Sequence, residues 1–261
     1  MNAITSRIER EVKKGRDTTI RSSLYQGYLA RIVELENKFV SEALIVDAQN
    51  SPYYDNDPTN IFDQDYLRSF RLLCHAETEY LLENLAIRLS DAEYKSWKDA
   101  GIPSDIVVNI VACHYSGWDK LDCSVKDFKP LSEQQIKKHD GLVTLAATEK
   151  AYGAYKYNLI HNHGVKENNF RNMFMPLGIL ERDHQDLISN LESFGSLRGL
   201  VAHTGKAVSH QINPIDEKEL IIEIAIGIYK LDEEIDKRLS NQGNAMLQRL
   251  NEMAKYQTQN A

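Results

Sequence analysis

The chain has 261 residues, of which 42% are hydrophobic and 26% are charged, and its formal net charge is −7. A chain of this length and composition can bury its own hydrophobic core, so disorder is excluded and a single globular domain is expected. The acidic balance excludes a general nucleic-acid coat, because such proteins neutralise many phosphates with surplus Lys and Arg. The three cysteines include no C-x-x-C pair and so indicate neither a disulfide framework nor a thiolate zinc site.

Two segments bear on where the protein is found. The N-terminal stretch MNAITSRIEREVKKGRD has no apolar run of the kind that directs export. The most apolar stretch, LIIEIAIGIYKL from Leu220, is short and includes Glu223. We therefore expect a cytoplasmic protein that is neither exported nor inserted across a membrane.

Apolar residues recur three and four positions apart along most of the chain, which predicts amphipathic helices and almost no strand. The predicted helices cover, in chain order, 17–47, 63–90, 91–99, 104–115, 132–161, 166–175, 183–194 and 217–240, with a weaker helix from Asn244. The isoleucines between 222 and 228 also alternate as in a strand, but the helical spacing around them extends much further. The fold class is therefore all-α, a bundle with long antiparallel helices.

Positive charge is concentrated in one part of this acidic chain. Residues 150–206 contain seven Lys or Arg and five Asp or Glu, a local excess of +2, while the remainder carries −9. The same segment holds half of the eight histidines. Contact with a polyanion is therefore expected within this segment.

An arginine and a histidine near the end of that segment form a candidate site. The stretch SFGSLRGLVAHTGK places Arg198 five positions before His203, about 140° apart on a regular helix, and Gly199 permits the backbone to loosen between them. The pair could clamp a phosphate and move a proton, or it could be a capping His beside a solvated Arg. Arg68 and His75 satisfy a similar spacing, and we interpret that second pair as accidental.

Three stretches around these residues carry a family resemblance. Residues 66–89 read YLRSFRLLCHAETEYLLENLAIRL, residues 164–179 read GVKENNFRNMFMPLGI, and residues 187–206 read LISNLESFGSLRGLVAHTGK. They contain the HAE that opens an HAExxxE signature, a PLGI break, and an Arg-x4-His followed by a small residue. In these features the chain resembles the RiboL-PSP branch of the HEPN superfamily. The resemblance implies one HEPN-like domain over 1–261, with residues 91–160 as a helical insertion and a C-terminal tail that frays.

The resemblance also implies which residues carry the chemistry of an endoribonuclease. It gives catalytic roles to Arg198 and His203, and supporting roles to Glu77, the acid of the early helix, and to Thr204, the small residue after the histidine. Arg198 would bind the scissile phosphate, since a guanidinium stays protonated and bonds two oxygens at once. His203 would give or take protons near neutral pH. RNA supplies its own nucleophile, the 2′-hydroxyl, so neither a metal nor a cofactor is expected.

Partners follow from the same resemblance. One histidine cannot readily act as base and acid together, and the family's solution is a homodimer in which both Arg-x4-His segments face one cleft. RNA is the expected substrate and DNA is not, with Lys166 and Lys206 of the basic segment as the expected RNA contacts. A role as a toxin or in phage defence is also implied, with an antitoxin or another defence protein as a further partner.

Two positions depart from the family pattern. Gly199 stands where many members have a polar residue after the Arg, and Gly205 stands where members modified by a partner nucleotidyltransferase carry a Tyr. Gly199 and the acidic balance favour an alternative function. In that alternative, the chain is a non-catalytic HEPN-like module whose groove binds RNA, a nucleotide or a partner protein.

A third hypothesis is a metal-dependent phosphohydrolase of the HD type. The dipeptide His139–Asp140 would need an earlier His and a later Asp, which His75 or His114 and Asp183 or Asp186 could supply. A solvated charge run in IKKHDG is the simpler interpretation.

Two smaller patterns are also ambiguous. His161 and His163 could bind a metal, but alternate positions on a helix diverge, and a helix end that gains from the dipole is the simpler interpretation. Tyr152, Tyr155 and Tyr157 lie among lysines and could stack on bases, although aromatic residues at helical spacing usually belong to a core.

Overall fold

A computed structural model of the chain describes residues 7, 10, 22–101, 103–116, 145–203 and 211–259, and within these ranges it contains no strand. The α-helices are α1 (Ser23–Phe39), α2 (Glu42–Gln49), α3 (Gln64–Ala100), α4 (Asp105–Ser116), α5 (Leu145–Ile160), α6 (Glu167–Phe174), α7 (Gln185–His203) and α8 (Pro214–Gln259). Short 3₁₀ helices lie at Pro58–Asn60, Met175–Leu177 and Glu181–Asp183. The all-α prediction is confirmed, and the isoleucines between 222 and 228 lie in α8. Over the same ranges no helix is both long enough and apolar enough to cross a membrane.

Several predicted elements agree with the structure. Helices α4 and α6 confirm the predictions over 104–115 and near 166–175. The predicted break after α6 is confirmed as well: Met175–Leu177 forms one 3₁₀ turn, and Gly178 adopts a φ of 72°, a left-handed conformation that glycine reaches without steric cost. Of the helix predicted over 132–161, residues 145–160 form α5 and residues 132–144 lie outside the described part.

Other predicted helix boundaries are wrong for local reasons. The single helix predicted over 17–47 is interrupted after Phe39, because the side chain of Ser41 caps α2 by accepting a hydrogen bond from the Leu44 amide at 3.3 Å. The boundary predicted near residue 90 is absent from α3. There the Ser90 hydroxyl donates to the Ile87 carbonyl at 3.0 Å, so it does not cap a new helix.

Helices α7 and α8 are longer than predicted. Helix α7 continues past the predicted end at Phe194 to His203, and α8 begins at Pro214 and continues past residue 240 to Gln259. Pro214 is favoured at a helix start, where its missing N–H costs no hydrogen bond. The extension of α7 decides the local structure of the candidate site, because Arg198 and Gly199 lie within a continuous helix.

The chain divides into two compact units. Unit 1 comprises Met1–Asn84, His163–Arg171 and Glu181–Asp232, and unit 2 comprises Leu85–Asn162, Asn172–Leu180 and Glu233–Ala261. The long helices α3 and α8 contribute residues to both. A single domain with an insertion at 91–160 stays a prediction.

Unit 1 has a core of fully buried aromatic and aliphatic side chains, among them Tyr25, Ile32, Phe70, Phe194 and Ile224. The hydroxyl of Tyr25 donates to the Ala225 carbonyl at 2.9 Å, which satisfies a buried polar atom and joins α1 to α8. A buried ion pair also crosses this core: Arg71 of α3 donates from Nε to the Glu217 carboxylate of α8 at 2.8 Å.

Two side chains of unit 2 donate hydrogen bonds to the backbone around the PLGI break (residues 176–179). The hydroxyl of Tyr155 in α5 donates to the Met173 carbonyl at 2.5 Å. Arg238 of α8 donates to the carbonyls of Leu177 and Gly178, both at 3.0 Å. These bonds satisfy backbone oxygens that the turn leaves without helical partners.

A close helix crossing in unit 1 can be tested at Gly227. A Cβ at this position of α8 would lie 2.8 Å from the Cβ of Leu187 in α7, closer than real Cβ atoms approach. Gly227→Ala should therefore lower the free energy of unfolding by about 1–3 kcal/mol, as overpacking does. Urea denaturation measures the change.

Gly27 is the matched control in the same unit. A Cβ at this exposed position of α1 meets nothing within 4 Å, so Gly27→Ala should raise stability by up to about 1 kcal/mol through helix propensity alone. An equal gain from Gly227→Ala would show that the close crossing of α7 and α8 is wrong.

Candidate functional site

Arg198 lies half-buried in α7, one turn after a phenylalanine that packs against a histidine of α3. His75 is 2% exposed, and its ring centroid lies 5.5 Å from that of Phe194, which precedes Arg198 by one turn of α7. Burial, and to a smaller extent the positive charge of Arg198, lower the pKa of His75 to about 4. At neutral pH the structure therefore places an uncharged imidazole close to the guanidinium.

Glu79 completes this group. Its Oε2 lies 3.6 Å from Nδ1 of His75, one turn away on α3, and its Oε1 accepts a hydrogen bond from the Gly164 amide at 2.5 Å. Gly164 has a φ of 130°, which favours glycine, and it begins the segment that carries Lys166. The carboxylate thus links α3 to the chain that enters α6.

Lys166, a predicted RNA contact, packs across α7 near Arg198. A Cβ at Gly195 would lie 2.7 Å from Cγ of Lys166, so the absence of a side chain at Gly195 makes room for the lysine stem. The ammonium lies 3.8 Å from the Glu192 carboxylate, one turn earlier on α7. Lys166 therefore packs against α7 at Gly195, one turn before Arg198.

The other predicted residues of the motif are only partly described. His203 is the last residue of α7, and its side chain lies outside the described part, as do Thr204 and Lys206. The helix is continuous through Gly199, so the loosening expected there is absent from α7. Positions 198 and 203 are consequently about 140° apart around the helix axis.

Glu77, the predicted supporting acid, has a partner on α1. Its carboxylate accepts a hydrogen bond from Nε of Arg31 at 3.2 Å. Side chains that are two positions apart on a helix point in directions about 200° apart. The structure therefore brings Glu79, and not Glu77, to His75. The spacing of His75 and Glu79, four positions apart in HAETE, is the sequence signal that could have identified this pair.

A known protein family matches most of the chain. The RiboL-PSP-HEPN family model matches residues 20–237, which include Arg198, His203, His75 and Glu79. The chain belongs to the RiboL-PSP-HEPN family. The resemblance recognised in the three sequence stretches is confirmed. No curated protein and no solved structure gives a significant match.

The residues of the metal-site alternatives are only partly described. Among the described residues, no group of three or more His, Cys, Asp or Glu side chains could hold a metal ion, while His139 and Asp140 lie outside them. His161 follows the end of α5, where its Nδ1 lies 2.8 Å from the Tyr157 carbonyl and its ring stacks on Tyr157 at 3.9 Å. These contacts agree with its interpretation as part of a helix end.

The tyrosines of α5 divide between structural and exposed positions. Tyr155 is fully buried, and Tyr152 stacks on Tyr94 with ring centroids 4.0 Å apart and donates to Asp91. Both rings thus have partners within unit 2. Tyr157 is 61% exposed and is the one of the three that presents a large ring surface to solvent.

The lowered pKa of His75 predicts how stability depends on pH. Because its pKa is about 4 in the folded chain and about 6.5 when unfolded, the unfolded chain binds more protons between these values. Stability should therefore fall by about 2 kcal/mol from pH 7.5 to pH 5 through this residue alone. His75→Phe keeps a ring against Phe194 but removes the titrating group. Its free energy of unfolding, measured by urea titration at pH 7.5 and at pH 5, should therefore lack this fall. Identical pH dependence in the two proteins would contradict the placement of His75.

Proposed function

We propose that this HEPN protein is an endoribonuclease that cleaves RNA without a metal, through attack of the 2′-hydroxyl on the adjacent phosphate. The observation that carries the proposal is Arg198: a half-buried arginine on α7, one turn after the Phe194 ring that packs against the neutral His75, within a helix that also contains His203. A guanidinium held on a helix is suited to binding two phosphate oxygens at once. Membership of the HEPN family supports an RNA-directed function.

The reaction needs few groups. The 2′-oxygen forms a bond to phosphorus and loses its proton to a base, while the bond from phosphorus to the 5′-oxygen breaks and that oxygen takes a proton from an acid. Arg198 would bind the non-bridging oxygens, whose negative charge grows in the transition state. His203 would carry the protons, since its ordinary pKa lies near 6.5.

A homodimer would supply the second proton carrier. Positions 198 and 203 are about 140° apart on the continuous helix α7, so one copy does not place both on one helix face. A two-fold axis that brings two copies of α7 to one cleft would provide two histidines, one as base and one as acid. We extend the proposal to a role as a toxin or in phage defence, with an antitoxin or other defence protein as a further partner.

A binding module without catalysis is the second candidate. Gly199 follows Arg198 where many members of the family have a polar residue, and the net charge of −7 opposes tight binding of a polyanion. In that case Arg198 would hold a phosphate of RNA, a nucleotide or a partner, and no bond would be cleaved.

Cleavage assays on RNA in the presence of EDTA test the proposal. Arg198→Ala and His203→Ala should each lower the rate by about two to four orders of magnitude, because one loses the phosphate clamp and the other the proton carrier. Circular dichroism should show that both variants remain helical. Arg182→Ala and His161→Ala are the matched controls, since both side chains are exposed and neither belongs to α7, and they should leave the rate unchanged.

The same assay separates the alternatives. Cleavage that EDTA abolishes would support a metal-dependent phosphohydrolase. If the wild-type protein binds RNA without cutting it and Arg198→Ala weakens the binding, the binding module takes the place of the nuclease.

A salt titration tests the position of the RNA. Removing one charge that neutralises a phosphate should reduce the slope of log affinity against log salt by about one. Lys166→Gln should do so, because Lys166 packs on α7 near Arg198. Lys237→Gln is the control: its side chain is 63% exposed and pairs with Glu233 within unit 2. Equal slopes for both variants would place the RNA elsewhere.

A further inference from the structure

One buried face of α3 carries several polar groups, and one of them meets α7. Arg71, Cys74, His75 and Thr78 are buried on this face, while Glu77 between them binds α1. Of the buried polar groups, Arg71 pairs with α8 and Thr78 bonds back to the Cys74 carbonyl at 2.8 Å. His75 is the buried polar side chain of this face whose ring meets α7.

Contacts on both sides fix the position of His75. Phe194 packs against the ring at 5.5 Å between centroids, with the planes tilted by 35°. The carboxylate of Glu79 lies 3.6 Å from Nδ1, longer than a hydrogen bond but near enough to favour the tautomer that carries its proton on Nδ1. Glu79 itself is held by the amide of Gly164. The imidazole thus has a fixed place and a preferred tautomer.

This tautomer gives the ring an acceptor. With the proton on Nδ1, Nε2 keeps a lone pair, and a neutral imidazole accepts one hydrogen bond there. Arg198 has five N–H donors and lies one turn of α7 after Phe194, whose ring packs against the imidazole. Donors in catalytic sites often tighten their hydrogen bonds only when the substrate is bound.

We propose that His75 and Glu79 are positioning residues for Arg198: Glu79 keeps the proton of His75 on Nδ1, and Nε2 then accepts a hydrogen bond from the guanidinium when Arg198 binds a phosphate. The proposal rests on the proposed function for the identity of the bound phosphate. Its consequence is a guanidinium with fewer accessible rotamers and a better orientation towards the scissile group. Neither positioning residue touches RNA.

Steady-state kinetics of single variants, with a control acid on the same helix, test the role of His75 and Glu79 in cleavage. Glu79→Gln and His75→Phe should lower kcat by roughly 10- to 100-fold, with little change in KM for RNA, as loss of orientation does. His75→Gln, which retains an acceptor, should recover part of the loss. Asp65→Asn removes a carboxylate from the same helix, where the side chain is 87% exposed, and should leave kcat unchanged.

A double variant separates positioning from a structural role. If His75 acts through Arg198, then His75→Phe should slow the wild-type protein but should not slow Arg198→Ala any further. A structural role would slow both backgrounds equally, and that result would overturn the proposal. Equal losses for Asp65→Asn and Glu79→Gln would also overturn it.

A spectroscopic measurement keeps this proposal distinct from the nuclease activity. Nitrogen-15 NMR of the histidine rings should show His75 with its proton on Nδ1 at pH 7. Inorganic phosphate should shift Nε2 in the wild-type protein but not in Arg198→Ala, and Glu79→Gln should weaken the tautomer preference while Glu77→Gln does not. If these shifts occur but RNA is not cleaved, the proposed function fails and the positioning role stands. A proton on Nε2, or an Nε2 shift that survives Arg198→Ala, would overturn the positioning role.

Discussion

The ion pair between Arg71 and Glu217 is the constraint on which unit 1 depends. Both side chains are almost completely buried, at 4% and 3% exposure, so each charge has lost its water and must keep the other as partner. Burial raises the pKa of the neighbouring Cys74 thiol well above its ordinary value, and the charge of Glu217 raises it further. The pair therefore fixes how α3 is rotated against α8.

That rotation decides what α3 presents to α7. His75 lies one turn beyond Arg71 on the same face, so the ion pair that sets Arg71 also directs the imidazole towards Phe194. Arg198 follows one turn later on α7, and Lys166 crosses the same helix at Gly195. The candidate site is thus a consequence of packing in unit 1, since two helices and one connecting segment are held by buried contacts.

Sequence reasoning predicted the elements of the site better than their contacts. Helical periodicity, the PLGI break and the Arg-x4-His spacing identified the fold class, the turn at Gly178 and the family. The sequence analysis gave the supporting role to Glu77 and none to Glu79. Both acids fit an amphipathic helix, and only the packing around α3 shows which partner each one has. The interpretation of His75 as accidental considered its spacing from Arg68, whereas its contact with α7 joins residues more than 100 positions apart.

The central claim is that Arg198 and His203 support attack by the 2′-hydroxyl of RNA. The most direct measurement is mass spectrometry of the ends produced when the purified protein cuts an RNA oligonucleotide in EDTA, compared with the same oligonucleotide carrying a 2′-deoxy sugar at the cleaved position. The account predicts a 2′,3′-cyclic phosphate and a 5′-hydroxyl from the first and no cleavage of the second at that position. Ends with a 5′-phosphate, or cleavage at the deoxy position, would contradict it.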